Sequence, residues 1–310
     1  MKWKKLASLA LAGALTLGLL PALSSPALAA DNVSTYTLQI PSTLTVSAAG
    51  WNETSGLTAA VTSGDTFDSD KKLSVTATSA NNWALKSGDN SVGYNLATAT
   101  GTYSSTAEPA SWAFYAAELN ETSGTNKAMG IIVEDYSSKP AGTYTDTVTF
   151  TAKVVAKAAT PNIAQADCTF SPSNGKSTLS NANITTSMEY SADSGTTWTD
   201  VSSAGSIASL AAGTVQIRVK ETVDNLASDA VSITVPEVLH INELVGPYTG
   251  DRLTCEYYAG ETWQALVDRY NLLKAYSGNA AFGSDGFIYD EGDFVPVTDL
   301  VDNTKTYEVQ

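Results

Sequence analysis

The side chains able to do chemistry are few here, and most are spaced for turns. Acidic residues gather twice, at Asp65, Asp68 and Asp70 and again at Asp285, Asp290, Glu291 and Asp293. Such groups offer carboxylate oxygens of the kind calcium takes, about six to eight at a time in a defined loop. Neither group has the helix–loop–helix calcium spacing, so solvated acidic turns are expected, with Asp285, Asp290 and Asp293 as the metal candidates to check. One histidine, His240, and two cysteines are too few for a His/Cys zinc site. Cys168 and Cys255 could form a disulfide in an oxidising compartment if their Cα atoms approach within about 7 Å. Carboxylate pairs suited to glycoside hydrolysis arise by chance among 32 acids. No G-x-S-x-G, HExxH or P-loop string occurs. The expectation is a non-enzyme that needs no cofactor.

Aromatic residues are the better candidates for ligand contact, because a ring combines a flat apolar face with a polar edge. Trp51, Trp83 and Trp112 sit among Ser and Thr, a setting compatible with sugar stacking, although strand cores also use Trp. Trp83 and Leu85, two residues apart, share one face of a strand. Trp263 and Tyr270 lie on one face of a helix. These four, Trp83, Leu85, Trp263 and Tyr270, are the candidate ligand-binding residues. Nucleic acid is excluded as a partner: 32 acidic side chains against 17 basic ones leave a net charge of -15, and phosphate binding needs a basic face.

The elements that must position these residues fall into four stretches of the 310-residue chain. Residues 1–29 read as a secretory signal: Lys2, Lys4 and Lys5 precede an apolar run from Leu6 to Leu20. Pro21 follows, and Ala27-Leu28-Ala29 supplies a small-x-small cleavage site before Ala30. The run is too short to span about 30 Å of hydrocarbon comfortably. No transmembrane segment is expected in the processed chain.

Residues 30–157 are Thr/Ser-rich and alternate with period two at Thr35–Ile40, Lys72–Thr78 and Gly142–Val154. In the last of these, Tyr144, Val148, Phe150, Ala152 and Val154 share one face. Several such strands predict a β-sandwich. Lys157–Pro161 is a linker. Residues 158–236 repeat the pattern in a second β module, clearest at Met188–Tyr190, Thr197–Val201, Val215–Lys220 and Val231–Val235. Residues 237–310 change character, and Thr262–Tyr276 predicts the one amphipathic helix. There Trp263, Leu266, Val267 and Tyr270 follow i, i+3, i+4, i+7, with Thr262 as N-cap and Gly278 as stop. The expected fold is mainly β: two Ig-like β-sandwich modules followed by a small α+β C-terminal module.

Several strings resemble known families. Pro140–Phe150 resembles the terminal strand of spore-coat-U-like and pilin-like domains, and Trp83-Ala84-Leu85 resembles the motif of WxL-type cell-wall-binding domains. Ser191–Trp198 matches the Asp-box, S-x-D-x-G-x-T-W. That string is a hairpin signal, and it also resembles hairpins of Ig-like and fibronectin-III-like modules. Tyr258–Asn271 is similar to the opening of a LysM module, with Gly260, Glu261 and Thr262 in the turn and Leu266, Val267 and Tyr270 in the helix. Trp263 stands there in place of the usual aliphatic residue, and Gly/Ala/Ser-rich residues 277–286 in place of a second helix.

Together these strings resemble exported modular surface proteins of Gram-positive, Firmicutes-like bacteria. The resemblance implies a secreted or cell-surface protein, adhesin-like or wall-associated. Its expected partners are cell-wall glycan or a host surface glycan or protein. Two other readings remain open: a structural subunit assembled by strand addition, and a carbohydrate-binding accessory protein.

Overall fold

The computed structural model describes residues 9–15, 36–62, 64–241, 243–245, 252–253, 256–269, 288–290, 293–296, 298–302, 304 and 306–309. The chain is mainly β, 48% strand against 5% helix, so sheets supply both cores. It divides into two compact units: Met1–Ala158 with Glu221–Ala227, and Ala159–Lys220 with Ser228–Gln310.

Among its described residues the first unit holds three sheets. One has five strands in the order β3 (Thr43–Val46), β1 (Leu9–Leu15), β12 (Thr147–Ala156), β6 (Lys71–Ser79) and β9 (Ser111–Tyr115). The second runs β10 (Thr125–Lys127), β5 (Leu57–Val61), β2 (Tyr36–Gln39). The third runs β4 (Gly50–Glu53), β11 (Gly130–Val133), β8 (Asn90–Ala97), β7 (Ala84–Ser87). Every pairing is antiparallel except that of β1 with β12. The apolar faces of all three sheets close on one core, which includes Leu44, Leu57, Leu73, Val75, Tyr94, Phe114, Ile131, Val148 and Phe150. A single helical turn, α1 (Ala116–Leu119), follows β9 and buries Leu119.

The alternation in β12 follows the sequence only part of the way. Val148 and Phe150 are buried while Thr147 faces out, but Ala152 and Val154 are exposed and Val155 is buried instead. The pairing with β6 stays in register throughout. What changes is the neighbour. The far end of β12 meets residues 221–227, where Leu226 donates to Ala156 O at 3.0 Å and Ala158 donates to Leu226 O at 3.0 Å.

In the second unit, β13 (Thr169–Ser173), β14 (Lys176–Ser180) and β17 (Ser206–Leu210) form one sheet. Another has the order β16 (Thr199–Asp200), β15 (Met188–Ser191), β18 (Gly213–Val219), β19 (Val231–Val235). Their core is built on Leu179, Ile184, Ile207, Val215, Ile217 and Ile233. Among the remaining described residues β20 (Val238–His240) pairs with β23 (Glu256–Tyr258). A five-stranded sheet joins β22 (Arg252–Leu253), β21 (Glu243–Val245), β26 (Thr306–Val309), β24 (Ile288–Asp290) and β25 (Asp293–Phe294). Helix α2 covers Trp263–Arg269; the rest of the helix expected to Tyr276 lies outside the described residues.

Candidate functional site

The most constrained polar feature of the first unit is the corner that carries Trp83. Between β6 and β7 the chain turns through Asn82 (φ 54°) and Trp83 (φ 60°). That left-handed region suits Asn, but a bulky side chain rarely adopts it. Such a conformation persists only where its surroundings impose it, and here a hydrogen-bond network does so. Ser79 Oγ accepts the Trp83 amide at 2.6 Å, and Trp83 O accepts the Tyr94 amide at 2.9 Å.

Ser79 is itself anchored, donating to Asp146 Oδ2 at 2.5 Å. The same oxygen accepts the Tyr94 hydroxyl at 2.7 Å, while Asp146 Oδ1 accepts the amides of Asn81 (3.1 Å) and Thr147 (2.7 Å). Asp146 is only 3% exposed. Four donors on one carboxylate are what a buried charge requires. Burial first, then the hydrogen bond and charge of Asp146, push the Tyr94 hydroxyl far above the usual phenol range, so it remains a donor. The half-buried Trp83 ring meets the Tyr94 ring edge-on at 5.6 Å and 73°. A rigid aromatic side chain is thereby fixed at a turn.

The partner residue of the motif behaves differently. Leu85 is 1% exposed; it belongs to the core and has no face to offer a ligand. Trp112, 4% exposed, is also core: its Nε1 donates to Ala128 O at 2.9 Å and its ring tilts against Phe150. Trp51 is half-buried and lies over Gly130, where a Cβ would come within 2.2 Å of the indole ring. Trp83 is therefore the strongest aromatic candidate of the first unit.

A second cluster gave no warning in the sequence. Lys72, an exposed type on an alternating strand, is 2% exposed. Its Nζ donates to Glu221 Oε1 and to Thr222 O, both at 2.6 Å, and Tyr115 OH donates to the same carboxylate oxygen at 2.8 Å. Burial, and then the Glu221 hydrogen bond, push the Tyr115 hydroxyl up to about 12. Only the chain's return at residues 221–227 places the carboxylate there, nearly 150 positions from Lys72. No local signal could have found it.

In the second unit the Asp-box string forms the expected turn. Asp193 accepts from Thr197 Oγ1 (2.6 Å), the Thr197 amide (2.8 Å) and Ser191 Oγ (2.7 Å). The two Thr197 bonds, then the Ser191 bond, lower its carboxyl to about 2. Gly195 at φ 86° turns the chain, and Trp198 Nε1 donates to Gly195 O at 3.1 Å. The Arg218 guanidinium sits 3.7 Å over the Trp198 ring, held by Glu189 at 2.7 Å. That cation–π contact already occupies one ring face, so the motif works here as a turn lock.

The Tyr258–Arg269 stretch has the strand, turn and helix order that its sequence suggests. Gly260 takes φ 81°, the Tyr258 amide donates to Glu261 Oε2 at 2.9 Å, and Thr262 Oγ1 accepts the Ala265 amide at 3.4 Å. Trp263 and Leu266 are both completely buried, so Trp263 is a core side chain and presents no surface to a ligand. Helical spacing put it on an apolar face, and the apolar face is the one that packs. Tyr270 lies outside the described residues.

The remaining candidates are placed as follows. His240 is exposed, with Nε2 3.6 Å from Glu256. Cys168 carries a free thiol that donates to Ala164 O at 3.3 Å; burial raises its pKa. Cys255 and Asp285 lie outside the described residues, and the backbones of Asp290 and Asp293 are register partners in the β24–β25 ladder. Asp68 and Asp70 are engaged by Lys71 and Lys157. Among the described residues no group of three or more His, Cys, Asp or Glu could hold a metal ion. Among them, too, no helix is long and apolar enough to cross a membrane. No family model, curated protein or solved structure matches the chain.

Proposed function

We propose that this chain is an exported, non-enzymatic surface protein whose β modules display rigid contact surfaces at the cell envelope, adhesin-like or wall-associated. In this reading residues 30–157 and 158–236 are Ig-like sandwiches and residues 237–310 a small α+β module. The ligand is cell-wall glycan or a host surface glycan or protein. The observation that carries the proposal is the Trp83 corner, where a half-buried indole is held in a left-handed turn by a buried carboxylate network. A preorganised aromatic loses little freedom on binding, and that is where recognition by stacking gains its affinity.

The test is co-sedimentation of the chain with isolated cell wall, beside Trp83→Ala and a chain ending at Pro236. The full chain is expected to pellet, the Trp83 variant to remain in solution and the shortened chain to pellet. Pelleting of the Trp83 variant at the wild-type level would remove Trp83 from the reading. Loss of pelleting on shortening would move the site to residues 237–310. Retardation on soluble glycan gels would mark the third reading, a carbohydrate-binding accessory protein. The reading as a structural subunit built by strand addition would be marked by concentration-dependent oligomers or fibres, and a strict monomer would remove it.

A further inference from the structure

The turn that joins β13 to β14 holds the single Asn-Gly pair of the chain, Asn174-Gly175. Ser173 and Lys176 are register partners, so these two residues form the whole loop. Both take left-handed angles, φ 52° at Asn174 and 73° at Gly175, as a two-residue hairpin turn requires. The same pair carries a chemical hazard. Attack of the Gly175 nitrogen on Asn174 Cγ closes a five-membered ring, and glycine has no Cβ to obstruct the approach. Asn174 is exposed, so its side-chain amide is open to water.

The reaction needs only the chain and solvent. The Gly175 nitrogen gives its proton to water or hydroxide and attacks Asn174 Cγ. A nitrogen–carbon bond forms, the Cγ–Nδ2 bond breaks, and ammonia leaves with a proton returned by solvent. Water then opens the cyclic imide at either carbonyl, leaving aspartate or isoaspartate at 174, with no change of oxidation state. Isoaspartate adds a methylene to the backbone, which no longer fits a two-residue turn.

A second element controls the attacking nitrogen. Glu256, in β23, accepts the Gly175 amide through Oε1. It is the register partner of His240 in β20, whose Nε2 lies 3.6 Å from the same oxygen, and its side chain is only 13% exposed. The bond opposes the reaction in two ways. It aims the N–H at the carboxylate, so the nitrogen must abandon that bond to reach Asn174 Cγ. A neighbouring negative charge also disfavours ionisation of the amide, as like charges do wherever they meet. Beside it, Ser177 Oγ donates to the Tyr258 hydroxyl at 3.4 Å. We propose that Asn174-Gly175 is a latent deamidation site guarded by Glu256: the turn is chemically stable while it rests on β23 and modifies itself once it leaves.

The full chain would be held at mildly alkaline pH and digested at intervals. The peptide containing Asn174 is followed by mass for conversion of amide to acid, and isoaspartyl methyltransferase labelling reports the isoaspartate. The same chain unfolded in urea sets the unguarded rate. Folded wild type is expected to convert about ten- to one-hundred-fold more slowly, the rate equivalent of one hydrogen bond to a charged group. Glu256→Ala should recover most of that factor, and Glu256→Gln, which keeps an acceptor oxygen without the charge, should fall between. Tyr258→Phe removes the neighbouring Ser177 bond, spares Glu256 and should convert at the wild-type rate. Far-UV spectra check the fold of each variant, and Glu256→Gln carries the test if the alanine variant unfolds. An unfolded chain in which Asn174 stays intact denies the site. Folded wild type converting as fast as the unfolded chain overturns the guard, as do Glu256 variants that keep the wild-type rate. Acceleration in Tyr258→Phe equal to that in Glu256→Ala also overturns it, since loosening of the contact would then suffice.

Discussion

Deleting the hydroxyl of Tyr94 isolates one bond of the network behind Trp83. Tyr94 is fully buried, and its hydroxyl donates to Asp146 Oδ2 at 2.7 Å. In Tyr94→Phe the ring still meets Trp83 edge-on, and Asp146 keeps Ser79 and two backbone amides as donors. Only one hydrogen bond to a charged group is lost, about 1.5–3 kcal/mol. For a unit of this size each kcal/mol lowers Tm by about 2–4 °C, which gives a fall of roughly 3–12 °C. Asp146→Ala should cost more, about 1–3 kcal/mol for each buried donor left without an acceptor. It strands the Tyr94 and Ser79 hydroxyls together with two amides. Asp146→Asn should fall between wild type and alanine, because both hydroxyls can turn to accept from the new amide.

The pH dependence follows from the same geometry. The folded Tyr94 pKa lies above its ordinary value of 10.0, so the stabilisation is complete below that value and is lost as pH rises beyond it. Tyr94→Phe should flatten this alkaline arm, leaving the smaller contributions of Tyr115, pushed up to about 12 by burial and the Glu221 hydrogen bond, and of Tyr36 and Tyr103, which burial also raises. Urea unfolding followed by tryptophan fluorescence measures both effects. A Tyr94→Phe variant within about 0.5 kcal/mol of wild type, the scatter of ordinary surface changes, would refute the claim that the carboxylate network holds this corner.

Further outcomes are expected elsewhere. Glu221→Ala leaves the Lys72 ammonium buried without its carboxylate and should destabilise the first unit by about 3–5 kcal/mol; a double cycle with Lys72→Met should recover much of the loss. Asp193 titrates at about 2 in the fold against 3.8 ordinarily, so the order it gives the 191–198 turn persists above pH 4. The stability it contributes is lost as pH falls from about 4 towards 2, and carboxyl and Thr197 amide shifts in NMR of the folded protein should show a midpoint near 2. Asn52, in β4, accepts the amides of Ser47 (2.8 Å) and Ala48 (3.1 Å) through Oδ1, so Asn52→Ala should cost about 1–3 kcal/mol for each buried donor left unpaired, measured by denaturant unfolding. It should also speed exchange of the Ser47 and Ala48 amides.

Period-two alternation was enough to locate β2, β18 and β19, because one buried face requires it whatever the rest of the fold does; it located β6 as well, although Lys72 and Ser74 on the opposite face are also buried there. The turn chemistry of Ser191–Trp198 and of Gly260-Glu261-Thr262 was equally legible, since those bonds close within a few residues. The alternation misled in the last third of β12, where Val155 is buried in place of Val154. Burial there follows the return of residues 221–227. The Trp83-x-Leu85 pairing misled for a related reason: the two backbones are not in one strand conformation, because Trp83 precedes β7 in a left-handed turn while Leu85 lies within it. Apolar spacing marked Trp263 as a shared helix face but could not say whether that face was core or surface.

The sequence by itself determined the β class, the acidic surface and the local turns, all of which rest on interactions between near neighbours. The tertiary structure alone decided which polar residues are buried. Asp146 meets Ser79 and Tyr94 across three strands and their connections, and Lys72 meets Glu221 after a long excursion of the chain. It also decided that the apolar run at Leu9–Leu15 lies between β3 and β12. Strand pairing depends on which edges arrive unpartnered side by side, and that depends on where the whole chain has already gone.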